Sequence, residues 1–448
     1  MFIALKDIEK LSSEELNKLY EKNFSNSLYE SFKLGNMVVH YDRASGMNVW
    51  DKQGNKYLDF MGGFGSLNLG HNPPSIIEAL KHNFSKPNLL QQSINIYNGV
   101  LANNISCLTD NKLPMSFFTN CGAETVEEVI KLAYMYKGKG KILYCTDAYH
   151  GKTIGAISAL GTKSKDKFPH LKEHFIEIPF GDINALVKAS KEHDIAAFLI
   201  EPIQGEGGIH IPPKGYFEGV RQTCNEKEII LILDEIQSGL GRCGTMFCYE
   251  QLNFVPDILC LSKSLSGGVI PVGSVSMKQE IWDKTYGKLK NSTLPSTTFG
   301  GNTFACIAAI ESLRVIKDEK LPETAAKLGE YALIQLNKLK DKHAIITDIR
   351  GKGLFIGIEF AGVKKLPSAM AEEFMMVNII SKLLRDYKVL CGFAANNPFV
   401  IKFEPPLIVK KEEIDYFIDS LDKILDKDKN ELLLAIDTLL NLEKNILN

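Results

Sequence analysis

Between about residues 75 and 320 the chain alternates short apolar runs with longer stretches whose apolar positions recur three and four residues apart. Short runs that are apolar on both faces suit strands buried in a parallel sheet, and the longer period suits helices packed over it. On this pattern strands are expected at 116–119, 142–145, 196–201, 229–234, 258–261 and 272–276. Helices are expected at 123–136, 184–192, 216–225 and 302–316. Such alternation implies an α/β domain, a mainly parallel sheet covered on both faces.

The flanks read differently. Ser12 and Glu15 have capping-box spacing, and Leu16, Leu19, Tyr20 and Phe24 follow at helical spacing, so an N-terminal helical arm is expected. Segments at 38–40, 47–50 and 57–60, punctuated by Ser45-Gly46 and Gly54-Asn55, read as a small antiparallel meander. Gly62-Gly63-Phe64-Gly65 then runs toward Gly70-His71-Asn72-Pro73-Pro74; glycines this dense imply unusual backbone or a close approach. After about residue 325 come a long helix (325–342), a strand (353–360), a helix (371–387), a strand (399–403) and helices to the end. The expected division is 1–74 as arm and meander, 75–325 as the large domain and 326–448 as a smaller α+β unit that the meander joins.

With 448 residues there is room for both units, and 45% hydrophobic with 24% charged residues is ordinary for a soluble protein. A net charge of −2 exerts no pull toward nucleic acid or acidic membrane. No run reaches the ~20 apolar residues of a spanning helix. The first ten residues carry no secretory signature. Nine dispersed cysteines, none spaced as CxxC and several inside apolar runs, suit reduced thiols. The cytoplasm is the expected compartment.

Two expected strands end on reactive groups. The run 229–233 lands on Asp234-Glu235, and 258–261 lands on Ser262-Lys263. In parallel sheets ligands sit beyond the carboxyl ends of the strands, so an acid and an amine are expected at neighbouring tips. An amine in apolar surroundings gains access to its neutral, nucleophilic form. A buried carboxylate can hold a protonated pyridine nitrogen. The pair therefore suits a Schiff-base enzyme using pyridoxal phosphate, although an apolar strand ending in Asp-Glu also describes the magnesium-binding strand of nucleotide hydrolases. That alternative lacks its phosphate loop. Gly239, Gly241 and Gly244 satisfy GxGxxG but follow the Asp234 loop, and Gly155 to Gly161-Thr162-Lys163-Ser164 has one residue too many and threonine before the lysine. The nine histidines show no HExxH or comparable metal spacing. Thr119-Asn120-Cys121-Gly122-Ala123-Glu124 sits where a strand hands over to a helix, a natural phosphate cradle. Tyr149-His150-Gly151 and the run from Glu201 through Gly205-Glu206 to Gly208 leave two further strand tips.

These pieces, in order TNCGAE, AYHGKT, EPIQGEGG, LILDEIQSGLGRCG, PDILCLSKSLSGG, STTFGGN and RGKGLFIGIE, resemble the class III, fold type I, pyridoxal-phosphate-dependent aminotransferases over nearly the whole chain. Within the class the chain looks most like putrescine aminotransferases, with ornithine and acetylornithine enzymes close behind. The resemblance implies that Lys263 is the Schiff-base lysine and that Asp234 pairs with the pyridine nitrogen. It implies that Cys121, Gly122 and Ala123 form the phosphate turn, that Tyr149 stacks on the ring, and that His150 and Glu201 belong to the same cofactor-binding set. Gln237 matches the amide near the phenolic oxygen, Glu206 the acid that gates the substrate-side arginine in ornithine-type enzymes, and Thr298 a phosphate ligand reaching across a homodimer. Phe64 and Lys402 fall on the substrate side.

The departures bear on the substrate. Cys121 stands where serine is common, and Lys152 where arginine is usual. Lys402, in Val400-Ile401-Lys402-Phe403-Glu404-Pro405-Pro406, stands where amino-acid-using relatives carry arginine. Lysine is a point charge without a two-bond fork for a carboxylate. The expected donor is therefore a diamine or ω-amino compound, and the acceptor a 2-oxo acid such as 2-oxoglutarate or pyruvate. Rival readings are an amino-acid aminotransferase of the ornithine or acetylornithine kind, an aminomutase or racemase on the same fold, and a non-catalytic relative.

Overall fold

The computed structural model describes residues 2–89, 93–167, 169–361 and 369–427. Three sheets organise them. Strands β1 (Tyr41–Ser45), β2 (Asn48–Asp51) and β3 (Lys56–Asp59) open the chain's sheet structure. The central strands are β4 (Met115–Thr119), β5 (Lys141–Cys145), β6 (Phe175–Ile178), β7 (Ile195–Ile200), β8 (Ile230–Asp234), β9 (Ile258–Leu261) and β10 (Gly273–Met277). The C-terminal strands are β11 (Ile346–Lys352), β12 (Phe355–Phe360), β13 (Val389–Leu390), β14 (Gly392–Ala394) and β15 (Asn397–Phe403).

The large sheet has the order β4-β10-β9-β8-β7-β5-β6. Six of its seven strands run in one direction, and β10 runs antiparallel between β9 and β4. Every residue of β7, β8 and β9 is buried, as expected of strands covered on both faces by helices such as Gly122–Lys137 and Thr303–Asp318. The chain is thus an α/β protein with a large, mostly parallel sheet.

The flanking sheets tie the two ends of the chain together. The meander is completed from the far end, because β13 pairs parallel with β3 to give the order β1-β2-β3-β13. The antiparallel sheet β11-β12-β15-β14 follows. Phe60 after β3, Phe403 at the end of β15 and Phe417 on the helix Lys411–Lys427 pack with ring centroids 4.7–5.2 Å apart. The Glu404 amide donates to Phe60 O at 3.0 Å, which sets the end of β15 directly under the glycine run 62–65.

Some elements differ from the expectation. The first meander strand is not 38–40 but β1, a largely exposed strand whose polar residues show no alternation. Likewise 353–360 is a hairpin end, with Gly353 turning between β11 and β12, and β6 and the helix Asn26–Leu34 were not foreseen. The capping box forms as expected, Ser12 Oγ accepting from the Glu15 amide. Helices expected beyond residue 427 lie outside the described residues. No helix among the described residues is long and apolar enough to cross a membrane.

Candidate active site

Parallel pairing brings the ends of β5, β7, β8 and β9 to one edge of the large sheet, with Asp234 in register with Cys260, three residues before Lys263. Lys263 adopts φ +44°, a left-handed backbone uncommon for lysine, as the first residue of a short 3-10 turn. Ser262 Oγ anchors this turn on Val272 O at 2.7 Å, and Ser312 Oγ anchors it through Ser264 O at 3.0 Å. Among the described residues Lys263 Nζ has no hydrogen-bond or ion-pair partner. Burial pushes this amine below the usual lysine range, more than Glu206, Glu404 and Asp234 pull it back, and Lys402 adds to the depression. The result is an amine with enhanced access to its neutral, nucleophilic form.

Asp234 is buried. Its Oδ1 accepts from the Ile236 amide at 3.0 Å, and Oδ2 lies 2.7 Å from His150 Nδ1. His150 Nε2 is itself buried without a partner. Glu201 reaches neither. Its two oxygens accept from the Tyr149 and Gly205 amides, each at 3.0 Å, so it holds the Tyr149 loop and the Glu206 loop against one another. Burial raises the Glu201 carboxyl to about 7, against the opposing pull of His150 and of these two amides.

At the other end of the cleft, Cys121 caps the helix Gly122–Lys137 in an extended conformation with no side-chain hydrogen bond to the helix. The first amides of that helix therefore point out without a side-chain cap. A Cβ at Gly122 would sit 3.0 Å from Ile236 Cδ1, so the turn packs directly on the Asp234 loop. A Cβ at Gly151 would lie 2.8 Å from that of Ala123, which places the loop carrying Tyr149 and His150 against the same helix start.

The substrate side is built around Lys402, 1% exposed. Its Nζ lies 2.5 Å from Glu206 Oε1, 3.1 Å from Glu404 Oε2 and 5.0 Å from the centre of the Phe64 ring. Burial opposes the lysine's charge, but Glu404 and Glu206 outweigh it and hold the amine above its usual range. Burial likewise opposes the Glu206 carboxylate, and Lys402 and Lys263 overcome it, leaving that acid below its usual range. Gln237 Nε2 donates to Glu206 Oε1 and to Phe64 O, both at 3.2 Å, and the Ala395 amide donates to Glu206 Oε2 at 2.9 Å. Residues 62–65 all have positive φ, and a Cβ at Gly62 would come within 2.4 Å of Glu404 O. That close approach is why the run is glycine-rich.

The structure thus brings Phe64, Cys121, Gly122, Ala123, Tyr149, His150, Glu201, Glu206, Asp234, Gln237, Lys263 and Lys402 to one region. Thr298 lines a cavity of about 330 Å³ with Asn88, Asn98 and Gly301, and the preceding Thr297 Oγ1 accepts from Asn120 Nδ2 at 3.2 Å. Sequence reasoning missed Ile236, Glu404 and the turn at Ala395-Asn396. Glu404 alone carried a readable signal, since alternation along β15 puts it on the same face as Lys402.

The Aminotransferase class-III family model matches residues 29–425. The chain is 34% identical over 451 aligned residues to Aminotransferase PigE of Serratia sp. strain ATCC 39006, covering 91% of this chain and 53% of that protein, so it spans about half the length of PigE. It is 38% identical over 397 residues to the Putrescine aminotransferase of Pectobacterium atrosepticum, covering 86% of this chain and 82% of the relative. Among solved structures it is similar to the ornithine aminotransferase of Toxoplasma gondii, at 30% identity and a TM-score of 0.82, covering 93% of this chain and 95% of the other. The chain belongs to the class-III aminotransferases.

Proposed function

We propose that the protein binds pyridoxal 5'-phosphate in this cleft. It then moves an amino group from a diamine or ω-amino compound, putrescine- or ornithine-like, to a 2-oxo acid such as 2-oxoglutarate or pyruvate. The carrying observation is the unpaired, half-buried amine of Lys263 beside the buried carboxylate of Asp234 at adjacent strand tips. The residues present fit the cofactor. The orphaned His150 Nε2, the uncapped helix start at Gly122 and an acid–amine pair are a donor set for a phosphorylated, nitrogen-containing aromatic ring.

In this reading Gly122 and Ala123 would hold the phosphate through backbone amides, Tyr149 would lie against the ring, and Asp234, oriented by His150, would hold the ring nitrogen. When bound, pyridoxal phosphate would supply a carbonyl for the amine and a ring that delocalises the electron pair released at the donor carbon. Lys263 would hold the cofactor through Nζ and, as a free amine, take the proton from the donor's amine-bearing carbon as general base. In the return half-reaction it delivers a proton to the acceptor carbon. Gln237 orients the reacting end, and Glu206 keeps Lys402 occupied while a donor without an α-carboxylate is bound.

The occupied Lys402 and the likeness to a putrescine aminotransferase support the amine-type donor. The likeness to an ornithine aminotransferase supports a second reading, in which an ornithine-type donor reacts through its terminal amine. We read the protein as a homodimer with shared sites. Thr298 lines an open cavity beside Leu89 and Ser93, and the adjoining Ile94 and Ile96 are 90% and 67% exposed, an apolar surface suited to a second copy. All nine cysteines are free, which suits the cytoplasm.

The test is spectroscopic. Mixing the yellow holoenzyme with single amines should bleach it with putrescine and other terminal diamines, faster than with α-amino acids that lack a terminal amine. Bleaching by such α-amino acids alone would overturn the donor class. Repeated turnover of donor alone, well beyond one equivalent per site and with no oxo acid present, would favour an aminomutase.

A further inference from the structure

Glu404 has no part in the mechanism above, yet it is fully buried and neither of its carboxylate oxygens makes a hydrogen bond. Burying such a group is costly unless a charge offsets it. Among the described residues its ion-pair partner is Lys402, 3.1 Å from Oε2. Arg242, also buried, directs Nη1 to Leu354 O and Pro405 O and Nη2 to Asn68 Oδ1; it forms no ion pair with Glu404 and acts on it only at longer range.

Lys402 therefore carries two carboxylates, and they are held differently. Glu206 belongs to the loop that follows β7, and its grip rests on the Gln237 side chain, the Ala395 amide and Lys402 itself. Glu404 sits in the wall, its amide bonded to Phe60 O and its Oε1 3.5 Å from where a Cβ of Gly65 would be. A loop carboxylate can turn away; one wedged under the glycine run stays. We propose that Glu404 is a positioning residue that sets carboxylate specificity: it remains on Lys402 as a resident counter-ion when Glu206 gives way, so an incoming α-carboxylate meets a cation already shared. This rests on the aminotransferase reading, in which the oxo acid places its carboxylate at Lys402. The consequence is a site that tolerates an oxo-acid acceptor at the expense of affinity and discriminates against donors bearing an α-carboxylate.

Removing a neighbouring like charge at this range changes an equilibrium constant by roughly one to three powers of ten. In Glu404→Gln holoenzyme the KM for 2-oxoglutarate and the Kd for glutarate, an unreactive dicarboxylate, should both fall about tenfold or more. The KM for a diamine should move far less, and α-amino acids should gain as donors. Glu404→Ala should show the same split. Carboxylate affinity that is unchanged or weaker in both variants overturns the proposal, as does an equal change in donor and acceptor KM, the mark of a general structural role. Glutarate affinity is read without turnover. If the protein proved inactive toward every amine, tighter glutarate binding would still support Glu404 as the resident counter-ion, and unchanged binding would still refute it.

Discussion

Replacing Lys263 by alanine is expected to leave a folded protein whose transaminase turnover is at least about four powers of ten below wild type. The size of the loss follows from the number of roles that fall on one amine. In the proposed mechanism Lys263 Nζ would both anchor the cofactor and move the proton at the reacting carbon, and the neighbouring cation, Lys402, is held by Glu206 and Glu404 and is in no position to substitute. The protein should still fold, for two reasons. Nζ has no bonding partner among the described residues, so its removal orphans nothing. The left-handed φ of +44° is as strained for lysine as it would be for alanine, so the exchange adds no backbone cost. The measurement is steady-state turnover with a diamine and 2-oxoglutarate, alongside a thermal melt. The yellow colour characteristic of the loaded lysine should vanish in the variant. Retained turnover would exclude Lys263 from the chemistry.

Asp234→Ala should show a different profile, with turnover reduced about 10²–10³-fold and stability reduced as well. Here the deleted group is bonded. His150 Nδ1 loses its acceptor at 2.7 Å and the Ile236 amide loses one at 3.0 Å. Each buried polar group left without a partner costs about 1–3 kcal/mol. Asp234→Asn separates the two effects. The amide keeps an oxygen for Ile236 and presents its NH2 to His150 Nδ1, which accepts it once the ring carries its proton on Nε2, so the melting temperature should recover most of the loss. The negative charge proposed to hold the ring nitrogen protonated is absent, so turnover should stay low. Near-wild-type turnover in Asp234→Asn would show that the charge at this position is dispensable.

What the sequence revealed divides along physical lines. Strands β7, β8 and β9 were legible because every residue in them is buried, so the apolar run is unbroken and its end marks the sheet edge. That is also why Asp234 and Lys263 stood out, as reactive groups directly after such runs. β1 was misplaced because it is an exposed strand of Tyr, Asp, Arg, Ala and Ser with no buried face to impose a period. β13 was missed because two residues carry no pattern; only its pairing with β3, more than three hundred positions earlier, makes it a strand.

The site shows the same contrast. The ion pair of Lys402 with Glu206 joins residues 196 positions apart and depends on the β15 strand meeting the loop after β7. Glu201 is expected in the cofactor-binding set from the resemblance. Its two carboxylate oxygens hold the backbone of Tyr149 and Gly205, a role that only the folded arrangement of two loops defines. Glu404 was readable as a second charge on the face of Lys402, but its lack of hydrogen bonds is a property of the packed wall around it.

The most direct measurement is to load the protein with pyridoxal phosphate, reduce it with borohydride and map the modified peptide by mass spectrometry. The expected result is one phosphopyridoxyl group, on Lys263 in the peptide Leu261-Ser262-Lys263-Ser264. A label on Lys402, on a surface lysine, or on no residue at all would contradict the assignment of that amine and the function built on it.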